Sequence, residues 1–329
     1  MRPHQSISLP TGRLMLVLLA VVPAAMAYPW QSTRERWVLG IAVAVVIVLL
    51  AWWRGKFLTT IVRRRVAMMR RNRGGRPARG SGIDVRTTAL LRITPPEDEP
   101  DLLPLPLIAR YLDRYGIHAY ALRVTSRDAE SDTGPQRQTW VGLTVSAADN
   151  LAALRARSPQ IPLHETAEVA VRRLADHLRE TGWAASVVGP DDIPRFRHAR
   201  ETWRGTRGGS DDYVAAYRVK VDAALPETLA AIESYPARAR WIVLEIADDG
   251  AGQTVAVGCA FRTTAKPRSG GPLAGLTPHS GSHRPALTAL HPLSTHRLDE
   301  HGVLHADLLA RLRWPSTARQ QSRARHARV

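Results

Sequence analysis

The chain has a single cysteine, Cys259, so no disulfide can close within it, which suits a reducing compartment. Cys259 lies in an apolar run, Thr254-Val-Ala-Val-Gly-Cys-Ala-Phe, and reads as a small buried side chain on a strand. The signatures of common active sites are missing too. Gly55-Lys56 lacks the upstream glycine of a phosphate-binding G-x-x-x-x-G-K-[ST] loop, and Gly250-Ala-Gly252 falls between two strands, not at the strand-to-helix junction of a dinucleotide fingerprint. His164-Glu165-Thr-Ala-Glu168 lacks the second histidine of a zinc protease, and there is neither a G-x-S-x-G elbow nor an Asp-x-Asp pair. The pairs Asp191-Asp192, Asp211-Asp212 and Asp248-Asp249 sit where turns or helix caps would put them. No catalytic, cofactor-binding or metal-binding residue is therefore assigned, and the reading is of a chain that is not an enzyme.

Carboxylates are absent from one further stretch. From Arg54 to Arg79 there are ten cations (Arg54, Lys56, Arg63, Arg64, Arg65, Arg70, Arg71, Arg73, Arg76, Arg79) and no acid. Just before it, Trp37 to Trp53 is seventeen residues without a charge, a helix of about 25 Å, near the short limit for crossing a bilayer. A spanning helix followed by a basic block stays cationic side inward, so the rest of the chain is expected in the cytoplasm. Leu14 to Ala27 is a second apolar run. It reads either as a cleaved signal, with Arg2 and Arg13 ahead of Ala25-Met26-Ala27, or, extended to Trp30, as the first helix of a transmembrane hairpin. Tyr28, Trp30 and Trp37 near the loop and Trp52-Trp53 at the far end form aromatic belts that favour the hairpin.

The net charge of +17 resembles that of a nucleic-acid binder, but its distribution argues otherwise. Residues 1–83 hold fourteen Arg or Lys against one acid, Glu35, and residues 311–329 hold six Arg against none, leaving 84–310 slightly acidic. The basic ends fit membrane topology, anionic lipid or an acidic protein surface better than nucleic acid. Phe57, Leu58, Ile61, Val62, Val66 and Met69 recur at helical spacing among the arginines, so the second apolar helix is expected to run on as a basic amphipathic one, able to lie on anionic lipid or dock on a partner. Arg73 to Gly82 reads as a flexible linker.

Beyond the linker the pattern alternates. Strands are expected at 87–93, 118–125, 138–145 and 183–188, with helices at 105–115, 149–157 and 165–180. In the last helix Val169, Val171, Leu174 and Leu178 make the apolar stripe, and 126–135 reads as a polar turn. The order is the split β-α-β-β-α-β pattern of ferredoxin-like sandwiches. A similar passage comes next: strand 212–221, helix 226–234, and strands 241–247 and 253–263 joined by the Asp248-Asp-Gly-Ala-Gly252 turn. Short helices are expected at 285–290 and 299–312, before a disordered end. The fold class is thus a membrane-anchored α/β protein. The segments are 1–13 (cytoplasmic N-terminus), 14–53 (hairpin, 14–30 and 37–53), 54–82 (basic helix and linker), 83–310 (mixed α/β domain, lobes 83–190 and 211–310) and 311–329 (basic tail). Six of twelve histidines fall between 279 and 305, and His279/His283 and His301/His305 have the four-residue spacing of metal ligands on a helix. His279 and His283 lie in a Gly/Ser/Pro-rich stretch with no cysteine near, so a coincidence of surface residues is the plainer reading.

The architecture resembles the EccE family, membrane components of the mycobacterial type VII (ESX) secretion machinery. The likeness is carried by the apolar hairpin with its exit Trp52-Trp53-Arg54, by Asp84-Val-Arg-Thr-Thr-Ala-Leu-Leu, by Trp140-Val-Gly-Leu-Thr-Val, by Leu178-Arg-Glu-Thr-Gly-Trp183 and by Arg284-Pro-Ala-Leu, over about residues 10–300. These are hydrophobic strands more than fixed polar residues, and no catalytic residue carries over. The resemblance implies a structural subunit of a hetero-oligomeric inner-membrane complex, beside EccB, the ATPase EccC and the multi-spanning EccD. The chain's length resembles the shorter members, which points to the third ESX system, tied to siderophore-dependent iron acquisition. The competing readings are a membrane-anchored transferase-like enzyme with an atypical site, and a tethered sensor using the histidines.

Overall fold

The computed structural model describes residues 52–53, 56–72, 85–96, 102–131, 134–194, 200–208, 212–250, 252–304 and 307–314. The expected membrane hairpin lies outside the described residues except for its last two, as do the linker 73–82 and the end of the chain after Trp314. No helix among the described residues is long and apolar enough to cross a membrane. The chain divides into two compact units, Met1–Gly75 and Arg76–Val329.

In the first unit, helix α1 covers Leu58–Asn72. It is not a continuation of the apolar run. Trp52–Trp53 are extended and pair antiparallel with Lys56–Phe57, so α1 starts afresh at Leu58. Gly55 falls between the paired residues, and glycine is the poorest helix former after proline. Val62, Val66 and Met69, at steps of four and three, are half exposed on α1.

The second unit is a mixed α/β domain built on one large antiparallel sheet. Its elements are β1 (Arg86–Thr94), α2 (Leu105–Ala109), β2 (Ile117–Ser131), β3 (Gly134–Ser146), α3 (Leu151–Arg157), α4 (Leu163–Glu180), β4 (Ala184–Val187), β5 (Arg200–Thr202), β6 (Gly205–Arg207), β7 (Tyr213–Val219), α5 (Leu225–Ser234), β8 (Ala239–Asp248), β9 (Gln253–Thr263), β10 (Leu276–Pro278), α6 (His283–Ala289), β11 (Gly302–Val303) and α7 (Leu308–Arg311). The strands lie in the order β4-β1-β3-β2-β8-β9-β7-β6-β5, with β10 beside β7 and β11 beside β9. The first half follows the β-α-β-β-α-β order read from the sequence, its strands arranged β4-β1-β3-β2. The second half repeats the β-α-β-β part as β7-α5-β8-β9. The halves are not separate lobes: β2 and β8 pair from Leu122↔Ile246 to Ala129↔Ala239, and one sheet runs through both.

Alternation of side chains along the strands gives this sheet two faces. One is covered by α2, α4 and α5, whose Ile108, Leu174, Leu178, Leu225, Leu229 and Ile232 pack with Leu91, Leu122, Val141, Leu244 and Val257 in one core shared by both halves. Fully burying an aliphatic side chain of this kind contributes about 1.5–3 kcal/mol. The other face carries two smaller apolar clusters, one around Trp241, Val243 and Leu287 of α6 and one around Leu90, Trp140 and Ile193.

Several sequence expectations are corrected. Residues 126–131 are not part of a turn: β2 continues to Ser131, its outer edge paired with β8 as far as Ala129. The 105–115 helix ends early, passing through a tight 3-10 turn (Arg110–Leu112) into a small hairpin. Its loop residues Tyr115 and Gly116 both have positive φ, 57° and 68°, the two-residue hairpin geometry that glycine favours. The apolar stripe of α4 is Ala167, Val171, Leu174, Ala175 and Leu178, while Val169 is exposed on the outer side. The region between the supposed lobes contains the β5–β6 hairpin, and the described residues of 299–312 contain the β11 pairing and only the short α7.

Candidate functional site

The histidine-rich segment is the first place to look for a site. His283 does not lie in a loop: it opens α6, is fully buried, and its Nδ1 accepts the Ala216 backbone N–H at 3.2 Å. His279 directly follows β10 and lies 3.8 Å from the Asp299 carboxylate. The spacing therefore does not put His279 and His283 on one helix face. His305, the proposed partner of His301, lies outside the described residues. Among the described residues no group of three or more His, Cys, Asp or Glu side chains is placed to hold a metal ion.

His301 instead joins a buried charge centre that the histidine count does not reveal. Arg123 on β2 and Glu245 on β8 stand directly opposite across the seam between the halves. Both are almost wholly buried, and they form an ion pair through Arg123 Nη2 and Glu245 Oε2, with Arg123 Nε donating at 3.1 Å. Residues 291–298 form a strap over this pair. Arg123 donates to the carbonyls of His291 (3.2 Å), Ser294 (2.7 Å) and His296 (2.6 Å). Glu245 Oε1 accepts the Leu298 N–H at 2.9 Å and lies 3.0 Å from His301 Nε2, whose Nδ1 is 3.1 Å from Thr254 Oγ1. Burial alone would raise the Glu245 carboxyl, but the hydrogen bonds and the Arg123 charge hold it below the usual carboxylate range. Both carboxylate oxygens are occupied, so the arrangement is suited to fixing the strap and not to moving a proton.

The sheet makes room for the strap by small residues. A Cβ added at Gly142 would meet the Pro292 carbonyl oxygen at 3.0 Å, and one at Gly258 would meet Leu290 Cδ2 at 2.8 Å. Arg297 ties the far end, stacking 4.3 Å from the Tyr120 ring and donating to the Tyr120 and Asp248 carbonyls at 3.0 and 3.1 Å. On the helix face the seam carries a second polar cluster. Arg137 forks onto Asp128 at 2.5 and 2.7 Å and reaches Glu233 of α5 at 3.3 Å, while Arg240 reaches Asp128 at 3.4 Å.

The other residues singled out from the sequence take structural places. Cys259 is fully buried in β9, and burial pushes its thiol far up, against a smaller opposite effect of Arg240. Asp192 caps the Pro190–Asp192 turn by accepting the Gly189 N–H at 3.1 Å, and Asp248 accepts the Gly250 N–H at 2.8 Å. Asp212 departs from the turn reading: it is buried between Arg238 (3.0 Å) and Arg262 (2.7 Å). Arg123 and Glu245 were missed by pattern reading. The trace they leave is a lone charge inside each of two apolar strands, HAYALRVT and WIVLEIA, of opposite sign.

Sequence comparison bears on this geometry. Residues 134–219, which span β3, α3, α4 and β4 and run through β7, match the family model of EccE, the type VII ESX secretion system translocon family. The chain is 56% identical over 319 residues to the ESX-3 secretion system protein EccE3 of Mycobacterium tuberculosis (strain ATCC 25618 / H37Rv), covering 95% of this chain and 94% of that one. It is 51% identical over 291 residues to the protein of the same name from Mycolicibacterium smegmatis (strain ATCC 700084 / mc(2)155), covering 88% and 90%. With half or more of its residues shared along nearly its whole length, the chain belongs to the EccE family of type VII secretion proteins.

Proposed function

We propose that the chain is a non-enzymatic structural subunit of the inner-membrane ESX-3 secretion complex. Residues 14–53 anchor it as a hairpin, the body from residue 83 onward lies in the cytoplasm, and that body packs on the other core components, EccB, the ATPase EccC and EccD. The observation that carries this reading is the extent of the likeness to relatives named as ESX-3 secretion system proteins. The character of the polar centre supports it: Arg123, Glu245 and His301 are consumed in holding the strap. Helix α1, with Val62, Val66 and Met69 exposed among Arg63, Arg64, Arg65, Arg70 and Arg71, suits the headgroup region of an anionic leaflet, where each basic residue adds about 1 kcal/mol of attraction. Through the system's role the complex serves siderophore-dependent iron acquisition.

The test is extraction of the full chain in mild detergent, then native sizing and identification of the proteins that travel with it. EccB, EccC and EccD are expected in the same particle; a chain that migrates alone rejects the assignment. Protease added outside intact cells is expected to spare the body, and its digestion there would reverse the orientation.

A further inference from the structure

Three described residues other than glycine have positive φ: Tyr115 (57°), Ile161 (52°) and Glu300 (62°). The first two are bulky and exposed. A left-handed backbone is costly for any residue with a Cβ, most of all for a β-branched one such as Ile161. The two stand at neighbouring places. Tyr115 is at the tip of the hairpin after α2, and Ile161 is in the turn between α3 and α4. Arg157, at the end of α3 and four residues before Ile161, donates from Nη2 to the Tyr115 carbonyl at 3.2 Å. Strain of this kind gathers where a side chain is presented to a ligand.

Arginines surround the exposed ring. The guanidinium of Arg173 on α4 lies 4.4 Å from the centre of the Tyr115 ring and that of Arg114 lies 5.1 Å from it. One turn before Arg173 on α4, Val169 is exposed as well. None of Arg114, Arg157 and Arg173 forms an ion pair among the described residues. Arg114 donates to His177 Nδ1 at 3.3 Å, and Arg157 donates to carbonyls. The acids nearby are engaged elsewhere: Asp113 lies 3.3 Å from His118, Glu168 2.8 Å from Arg172 and Asp176 2.6 Å from Arg179. Glu165 and Glu180 on α4 pair with none of the three arginines among the described residues. A guanidinium held over an aromatic ring keeps N–H groups free to fork onto a carboxylate. Tyrosine and arginine are also among the side chains that most often dominate the energy of protein interfaces.

We propose that the Tyr115 hairpin tip, with Arg114, Arg157 and Arg173 around it, is a docking surface for an acidic segment of a partner protein. The segment carries two or more carboxylates, which take the guanidinium edges, while its apolar atoms lie on Tyr115. Charge complementarity selects the occupant. Attraction to a lipid surface depends on charge and needs no fixed geometry, whereas strain and stacking here fix each group as recognition of one segment requires. This rests on the reading of the chain as a subunit of an assembly, but it fails separately from it.

The test uses the full chain in the assembled complex, with the photoreactive p-benzoylphenylalanine in place of Tyr115. Irradiation is expected to join this position to another protein, at a segment that mass spectrometry shows to hold at least two Asp or Glu. A product with lipid, with the same chain or with a segment lacking acids overturns the proposal. So does the absence of any product with another protein in a particle that keeps its partners. A chain that migrates alone rejects the assembly reading, and this proposal with it. Arg173→Glu is expected to weaken retention of the joined partner about tenfold, and Arg173→Lys much less. Tyr115→Asn supplies a residue suited to positive φ. It is expected to weaken retention about tenfold without lowering the melting temperature of the chain. A melting temperature that falls while retention is unchanged assigns Tyr115 to the fold alone and also overturns the proposal.

Discussion

The units β1-α2-β2-β3 and β7-α5-β8-β9 place their strands in the same order, β1-β3-β2 and β7-β9-β8, and meet edge to edge through β2 and β8. They differ beyond the third strand of each. The first is completed by the eighteen-residue helix α4 and by β4, which pairs with β1. In the second, the strand position beyond β7 is filled by the β6 and β10 fragments, and no long helix succeeds β9 among the described residues. Its other face is covered by α6 and the irregular strap. The helix that completes the first half is therefore held by an apolar stripe, whereas the strap that follows the second half is held by its backbone carbonyls gathered onto Arg123 of the first. A regular element can be fixed by non-directional burial, whereas an irregular one, whose backbone groups have no ladder or helix to pair with, needs directional partners.

This contrast breaks most visibly at the ion pair. Arg123→Met or Glu245→Leu alone leaves an uncompensated buried charge and is expected to cost about 3–5 kcal/mol. The double substitution is expected to cost markedly less than the sum of the singles, read from denaturant midpoints of the two singles and the double. Next comes a pair of truncations that compares the halves. Leu174→Ala on α4 is expected to cost about 2–5 kcal/mol, toward the upper end because the helix cannot collapse into the cavity. Leu287→Ala on the short α6 is expected at the lower end, and hydrogen exchange should show the strap opening below the global transition. Gly142→Ala crowds the Pro292 carbonyl and is expected to cost about 1–3 kcal/mol, with increased exchange confined to 290–301.

The smallest change is with pH. The Glu245 carboxyl is held below its unfolded value, so its contribution to stability is complete at neutral pH. That contribution is lost as the pH falls below the unfolded carboxylate value near ~4.3 and on through the lower folded value. Thermal melts of the wild type should show this acid limb, and the Arg123→Met/Glu245→Leu double variant should show a shallower one.

The first half was nearly legible in the sequence because its elements are periodic. Leu174 and Leu178 announce a helix, and the alternation in QTWVGLTV announces a strand. The length of β2 was not, since Ser126 to Ser131 is polar and reads as a turn; what keeps it extended is β8, more than a hundred residues away. The strap was invisible for a related reason. Its determinants are Gly142 and Gly258 on strands remote in sequence, which show only as absent side chains, together with two buried charges that composition counts as surface. The four-residue histidine spacing would suit metal ligands only on one helix, and the backbone at His279 and His283 does not form one, in keeping with the Gly/Ser/Pro-rich sequence around them; the burial of His283 at the start of α6 is what that sequence hides.

Trp314 is almost completely buried, its indole Nε1 donating to Ser126 Oγ at 2.9 Å beside the seam, and its carbonyl accepts the Leu103 N–H at 3.5 Å. The keystone of the helix-side core is thus supplied by the last described residue of the chain. During synthesis, which runs from the N-terminus, the two halves can pair early, but the joint between them stays unplugged until translation has passed residue 314. A message truncated even a few codons short of that point would release a polypeptide that carries every described strand segment but lacks the indole that fills this joint.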